Sequence, residues 1–178
     1  MSLDDLTLVV RAQEGDVRAF EALARRHEAA LYRTAVRVTG DGAEAEDALQ
    51  EALLDAWRHL DGFRGDAAFS TWMYRLVTNR CVAALRRRRP VPAADAGADV
   101  AAADSPERTA LFDLELAALG RAVQDLPDDL RVCWVLRELA GLGYGDIATI
   151  TGVKETAVRG RIHRARVRLA GVMRAWQQ

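Results

Sequence analysis

Residues 91–107, from Val91 to Glu107, carry four acidic side chains, two prolines and no aromatic, Lys or Arg, with Pro90 just ahead of them. A stretch of this composition buries too little apolar surface to offset the entropy of ordering it, so it reads as a flexible acidic Ala/Pro linker. Seventeen residues extend to about 55–60 Å at about 3.3–3.6 Å each. The chain of 178 residues therefore divides into two small units, 1–90 and 108–178, able to bind separate surfaces.

Outside the linker every apolar pattern follows the 3.6-residue period and strand alternation is absent, which predicts an all-α chain of two small helical domains. Half of the residues are apolar and 29% are charged, enough for a packed core. No run approaches the roughly 18 apolar residues of a membrane span, and the start through Asp4 and Asp5 is acidic where a signal peptide is basic. A cytoplasmic chain without membrane insertion is expected. Cys81 and Cys133 have no Cys-x-x-Cys partner, and His27, His59 and His163 share no metal-ligand spacing. With no glycine-rich phosphate loop either, neither catalysis nor a metal or cofactor is expected.

In the first unit Asp16 is read as the cap of a helix with the stripe Val17, Phe20, Leu23, Leu31, Ala35 and Val38, ended by Gly40, Asp41 and Gly42. The next helix, from about Ala43 to Leu60, has two faces. Ala45, Leu49, Ala52, Leu53, Ala56, Trp57 and Leu60 form the core side, and Glu44, Asp47, Glu51 and Asp55 a like-charged stripe beside Gln50 and Leu54. Such a stripe costs about 0.2–0.5 kcal/mol per pair unless a basic partner meets it, which points to a protein-docking face; an acidic face that only aids solubility gives the same stripe.

A glycine-broken loop follows, with Phe63, Arg64, Gly65, Asp66 and Phe69, and Ser70 is read as the cap of the next helix. There Met73, Leu76, Val77, Ala84 and Leu85 face inward, while Trp72, Arg75, Asn79 and Arg86 fall on another stripe ahead of Arg87, Arg88 and Arg89. Aromatic rings, an amide and guanidinium groups on one face suit an unstacked single strand, although Trp72 and Phe69 serve equally as core residues.

The second unit opens on Phe112, Leu116, Leu119, Val123 and Leu126, closed by Pro127. A helix from Asp128 and Asp129 packs through Val132, Trp134, Val135, Leu136 and Leu139 and stops at Gly141 and Gly143. A short helix from Asp146 to Ile150 then turns at Gly152 into a long one with Val158, Ile162, Ala165, Leu169, Val172 and Trp176 inward. This is a helix-turn-helix, whose second helix would present Lys154, Glu155, Thr156 and Arg159 to base edges. Residues 154–178 hold seven basic side chains against one acidic, a phosphate-binding footprint or else a solvated face.

The run Glu46 to Trp57, then Phe63 to Asp66 and Phe69 to Arg75 as far as Asn79, resembles region 2 of the extracytoplasmic-function (ECF) sigma factors, the two-domain members of the sigma-70 family. Leu126 and Pro127, Gly143 to Ala148, and Arg161 to Arg166 resemble their region 4. The resemblance implies a sigma factor that directs core RNA polymerase to specific promoters and supports strand opening at −10. It maps docking on the clamp of the largest polymerase subunit onto Asp47, Gln50, Glu51, Leu54 and Asp55. Capture of the single-stranded −10 element falls to Phe63, Arg64, Gly65, Asp66, Phe69, Trp72, Arg75, Asn79 and Arg86, and reading of the −35 duplex to Lys154, Glu155, Thr156, Arg159, Arg161, His163 and Arg164. The free chain is expected to be a monomer, with an anti-sigma factor as a further partner. This chain departs from the family pattern where the recognition helix begins: Lys154 stands for Pro, Thr156 and Ala157 for Gly and Thr, and Gly160 for Ser. The competing reading is a helix-turn-helix regulator that does not engage polymerase; it leaves the acidic stripe and the Phe63 to Asn79 cluster without a role.

Overall fold

A computed structural model describes residues 4–88 and 118–176, and none of the described residues lies in a strand. The first half holds α1 (Asp5–Gln13), α2 (Val17–Thr39), α3 (Gly42–His59), a 3-10 turn (Leu60–Gly62) and α4 (Phe69–Arg88). The second holds α5, described over 118–124, then α6 (Asp128–Glu138), α7 (Tyr144–Thr151) and α8 (Glu155–Trp176). The linker, Arg89, Phe112 and Leu116 lie outside the described residues, as does the side chain of Trp176.

Each of the first three helices starts on an aspartate. Asp4 accepts from the Thr7 amide at 2.8 Å, Asp16 from the Arg18 and Ala19 amides at 3.0 and 3.2 Å, and Asp41 from the Glu44 amide at 3.0 Å. Each carboxylate takes up first-turn amides that have no partner four residues earlier in the helix, and complements the helix dipole. Gly40 ends α2 at φ +75°, and a side chain there would also meet Gln124, whose Oε1 would lie 2.5 Å from the new Cβ.

Helices α2, α3 and α4 pack on one another, with α1 laid against α2. Helices α6, α7 and α8 form the second group, and α4 packs on α7 while α2 packs on α6. The buried residues of both halves, among them Leu23, Leu31, Met73 and Val77 on one side and Leu136, Ile147, Val158 and Ile162 on the other, form one continuous apolar cluster. Gln124 adds a polar tie, its Nε2 donating to the Arg37 carbonyl at 2.9 Å.

Several expectations need correction. Helix α1 is an element the sequence reading does not name. Helix α4 starts at Phe69, so Ser70 sits in its first turn rather than at its cap. Trp57 is 39% exposed because its indole lies against Phe20, ring centroids 5.1 Å apart, at the rim rather than in the core. Val17 and Leu139 are about half exposed, each at a helix end where the chain turns away from the core, and Val172 is also exposed.

Candidate nucleic-acid and partner interfaces

The acidic stripe of α3 finds its basic partner within the chain. Arg80 on α4 donates to Asp55 Oδ2 through Nε at 2.8 Å and to Glu51 Oε2 through NH1 at 2.9 Å. One turn pair further on, Arg88 pairs with Glu44 at 2.5 Å and Asp41 at 3.1 Å. Hydrogen bonding to Asp55, with the charges of Asp55 and Glu51, holds the Arg80 pKa above its usual value. Neither arginine's pairing is visible in the spacing of α3, so the repulsion assumed from sequence is largely relieved by α4. What stays available is the outer edge: Glu46, Asp47, Gln50 and Leu54 are exposed, and Asp47 forms no ion pair among the described residues. Glu51 is exposed but committed to Arg80, and Asp55 is half-buried.

The loop after the 3-10 turn lines a cleft of about 390 Å³ together with Thr71, Trp72 and Arg75 of α4. Its backbone is held by Gln13, whose Nε2 donates to the carbonyls of Leu60 and Phe63, both at 2.9 Å. Sequence reasoning missed Gln13, since nothing in a helix-end glutamine announces a contact 50 residues away. Phe63, Phe69 and Trp72 form one aromatic cluster, with centroids 5.2 to 5.9 Å apart. Phe69 is its buried member, 3% exposed and packed also on His27, so it supports the cleft from the core instead of offering a stacking face. Phe63 and Trp72 are half-buried, while Arg64, Gly65, Asp66 and Arg75 are exposed. Asn79 and Arg86 are exposed further along α4 and do not line the cleft. Thr149 and Ile150 of α7 complete its wall.

In the second half Gly152, at φ +68°, turns α7 into α8. Lys154, just ahead of α8, and Glu155, Thr156, Arg159, His163 and Arg164 on its first three turns are exposed. Arg161 is not among them: it is half-buried and pairs with Asp129 at the start of α6 at 3.2 Å. Burial raises the Cys133 thiol pKa beside it, an effect that Arg161 partly offsets. Arg159 donates to Glu155 through Nε and NH2 at 3.1 and 2.6 Å. Arg166 reaches Glu138 in the same way.

Residues 23–91 match the family described as Sigma-70 region 2, and residues 116–169 match Sigma-70, region 4. The RNA polymerase sigma-H factor of Pseudomonas aeruginosa is 42% identical over 174 residues, spanning 91% of this chain and 90% of that protein. The chain belongs to the ECF sigma factors of the sigma-70 family. The ECF RNA polymerase sigma-E factor of Escherichia coli is 38% identical over 92% of this chain and 91% of its own. Among solved structures, CnrH bound to the cytosolic domain of CnrY superposes with a TM-score of 0.74 at 29% identity, covering 96% of this chain and 97% of that one. The sigma factor RpoE of Bartonella quintana, bound to the anti-sigma factor NepR, shares the fold, with a TM-score of 0.73 at 23% identity over 89% and 98% of the two chains.

The acidic stripe, the aromatic loop and the helix-turn-helix are therefore parts of one sigma factor, which directs core RNA polymerase to promoters. A regulator that does not engage polymerase is set aside, because region 2 matches as well as region 4. Among the described residues no helix is long and apolar enough to cross a membrane.

Proposed function

We propose that this ECF sigma factor divides its contacts among three exposed surfaces. Asp47, Gln50, Glu51 and Leu54 on the edge of α3 dock on the clamp of the largest polymerase subunit, with Asp55 fixing Arg80 behind them. The cleft of Phe63, Arg64, Gly65, Asp66, Trp72 and Arg75 takes an unstacked base of the −10 strand, backed by Phe69, and Asn79 and Arg86 follow the strand along α4. Lys154, Glu155, Thr156, Arg159, His163 and Arg164 meet the −35 duplex, while Arg161 braces α8 on α6.

The observation that carries this reading is which assigned residues remain solvent-exposed after the core and ion pairs are formed: the α3 edge, the cleft mouth and the first turns of α8. Basic side chains there suit phosphates and base edges, and acidic ones on α3 suit a basic protein surface. CnrH is bound to the cytosolic domain of CnrY and the sigma factor RpoE of Bartonella quintana to the anti-sigma factor NepR; on that ground this chain too is read as having an anti-sigma partner. The free chain is read as a cytoplasmic monomer.

The test is transcription of fragmented genomic DNA by sigma-free core polymerase, with and without this chain, mapping the new RNA 5′ ends. New starts that share two spaced upstream blocks are expected. Folded protein that binds active core and yields no new starts would overturn the promoter contacts; failure to bind core would overturn the α3 docking edge.

A further inference from the structure

The geometry points to Tyr144 as a positioning residue that sets the aim of Arg159, and through it a base preference of α8; this rests on the proposed role of α8 at the −35 duplex. Arg159 is an exposed side chain, 60% accessible, and a free arginine there would sample many rotamers before finding a base. It is not free. Its guanidinium carbon lies 4.5 Å from the centroid of the Tyr144 ring, within the range of a cation–π contact. Its Nε and NH2 both donate to Glu155 Oε1. The ring and the carboxylate together hold the guanidinium plane.

Tyr144 is itself held. Arg137 of α6 lies over the same ring, 4.6 Å from its centroid, and is tied to the Leu142 carbonyl at 2.8 Å. Arg166 donates to Glu138, which raises its pKa most, with Tyr144 adding to that rise. One half-buried ring at the start of α7 therefore gathers guanidinium groups from α6 and α8. An aliphatic side chain would suffice to pack three helices; an aromatic face under an exposed cation does something further. Of the five N–H donors of a guanidinium, Glu155 engages two of Arg159's, and the remaining donors on NH1 and NH2 match the paired acceptors of guanine, O6 and N7. Holding that fork in place lowers the ordering cost of the contact.

The test uses holoenzyme formed with the full chain and a promoter mapped by the transcription assay above, with every base of its upstream block varied in turn. Arg159→Ala identifies the base whose preference depends on Arg159. Tyr144→Leu is expected to reduce the preference at that same base by about three- to tenfold, while preferences in the downstream block stay as they are. Combined with Arg159→Ala, Tyr144→Leu should have no further effect on that preference. Tyr144→Phe should retain it, and pentafluorophenylalanine in place of Tyr144, equal in shape but with the ring's charge distribution reversed, should lose it even if the leucine variant folds poorly. Equal loss in both Arg159 backgrounds, or full preference with the fluorinated ring, would show that Tyr144 only packs. A wild-type holoenzyme indifferent to every base of the upstream block would instead overturn the −35 reading, and the role of Tyr144 with it.

Discussion

Arg80 crosses from α4 to α3 and closes on Asp55, its Nε 2.8 Å from Oδ2, while the neighbouring Asp47 stands on the same helix without an ion pair among the described residues. Two carboxylates that look alike in the sequence are thus engaged differently. Asp47→Lys should abolish core binding and leave stability within about 0.5 kcal/mol, the usual range for surface substitutions. Asp55→Lys should lose stability as well, by more than the roughly 0–1 kcal/mol of a simple exposed pair, because it sets a lysine against Arg80. Core pull-down alongside thermal melts of both variants checks this; equal melting temperatures would sink the distinction.

Acid should weaken the fold through its helix caps. The Asp4 pKa is lowered first by the Thr7 side chain, Asp16's by Arg11, and Asp41's by the Glu44 amide with help from Arg88. A depressed folded pKa means that the unfolded chain takes up protons first as pH falls, so the caps' contribution is present above the ordinary Asp value of about 3.9 and is lost as pH drops through the lower folded values. The urea midpoint should hold from neutral pH to about 5 and then fall. Asp16→Asn and Asp41→Asn keep a capping side chain but cannot titrate, so together they should flatten that fall. An unchanged acid limb in the double variant would remove the caps as its source.

Helical periodicity made most of the fold legible: Leu23, Leu31, Met73, Val77, Leu136, Val158 and Ile162 are all read as inward and are all buried. Errors collect where period says nothing about the partner. Trp57 and Leu139 fit the apolar stripes yet sit at rims, and for Phe69, where the sequence leaves stacking and core equally open, the structure has the core. The partners of Arg80, Arg88, Arg161 and Gln13 come from segments distant in sequence, and a single chain read alone does not say which distant segments meet. Exposure on the first turns of α8 was legible because Val158, Ile162 and Ala165 fix which side faces in.

The cleft lies between the two halves, since Thr149 and Ile150 of α7 form part of its wall beside Phe63 and Trp72, and a strand running on from it is expected to need the halves to part. Ala67 and Thr149 are exposed and line the same cleft, so Ala67→Cys with Thr149→Cys offers a site for a short cleavable bis-maleimide. The natural cysteines are buried, Cys81 with its thiol pKa pushed up to about 12 and Cys133 also raised, and will not compete. The cross-linked chain should still bind core but should start no promoter-specific RNA, and cleaving the linker should restore it. Undiminished transcription by the locked chain would show that the halves need not part for the strand to be taken up.

Gly160 sits inside α8 where the family pattern has serine, and a Cβ there would meet only Arg164 NH1, at 3.6 Å, an ordinary contact. A helix-interior glycine costs about 0.5–1 kcal/mol relative to alanine. Gly160→Ala should therefore raise the melting temperature by about 2–4 °C per kcal/mol gained for a chain of this size. Gly160→Ser should gain less, because serine is the poorer helix former. Gly171, in the same helix with nothing within 4 Å of its would-be Cβ, provides the comparison: Gly171→Ala should give a similar gain far from the proposed reading turns. If Gly171→Ala stabilises while Gly160→Ala destabilises, the Arg164 side chain cannot yield, and the glycine is there to let that arginine lie close along α8.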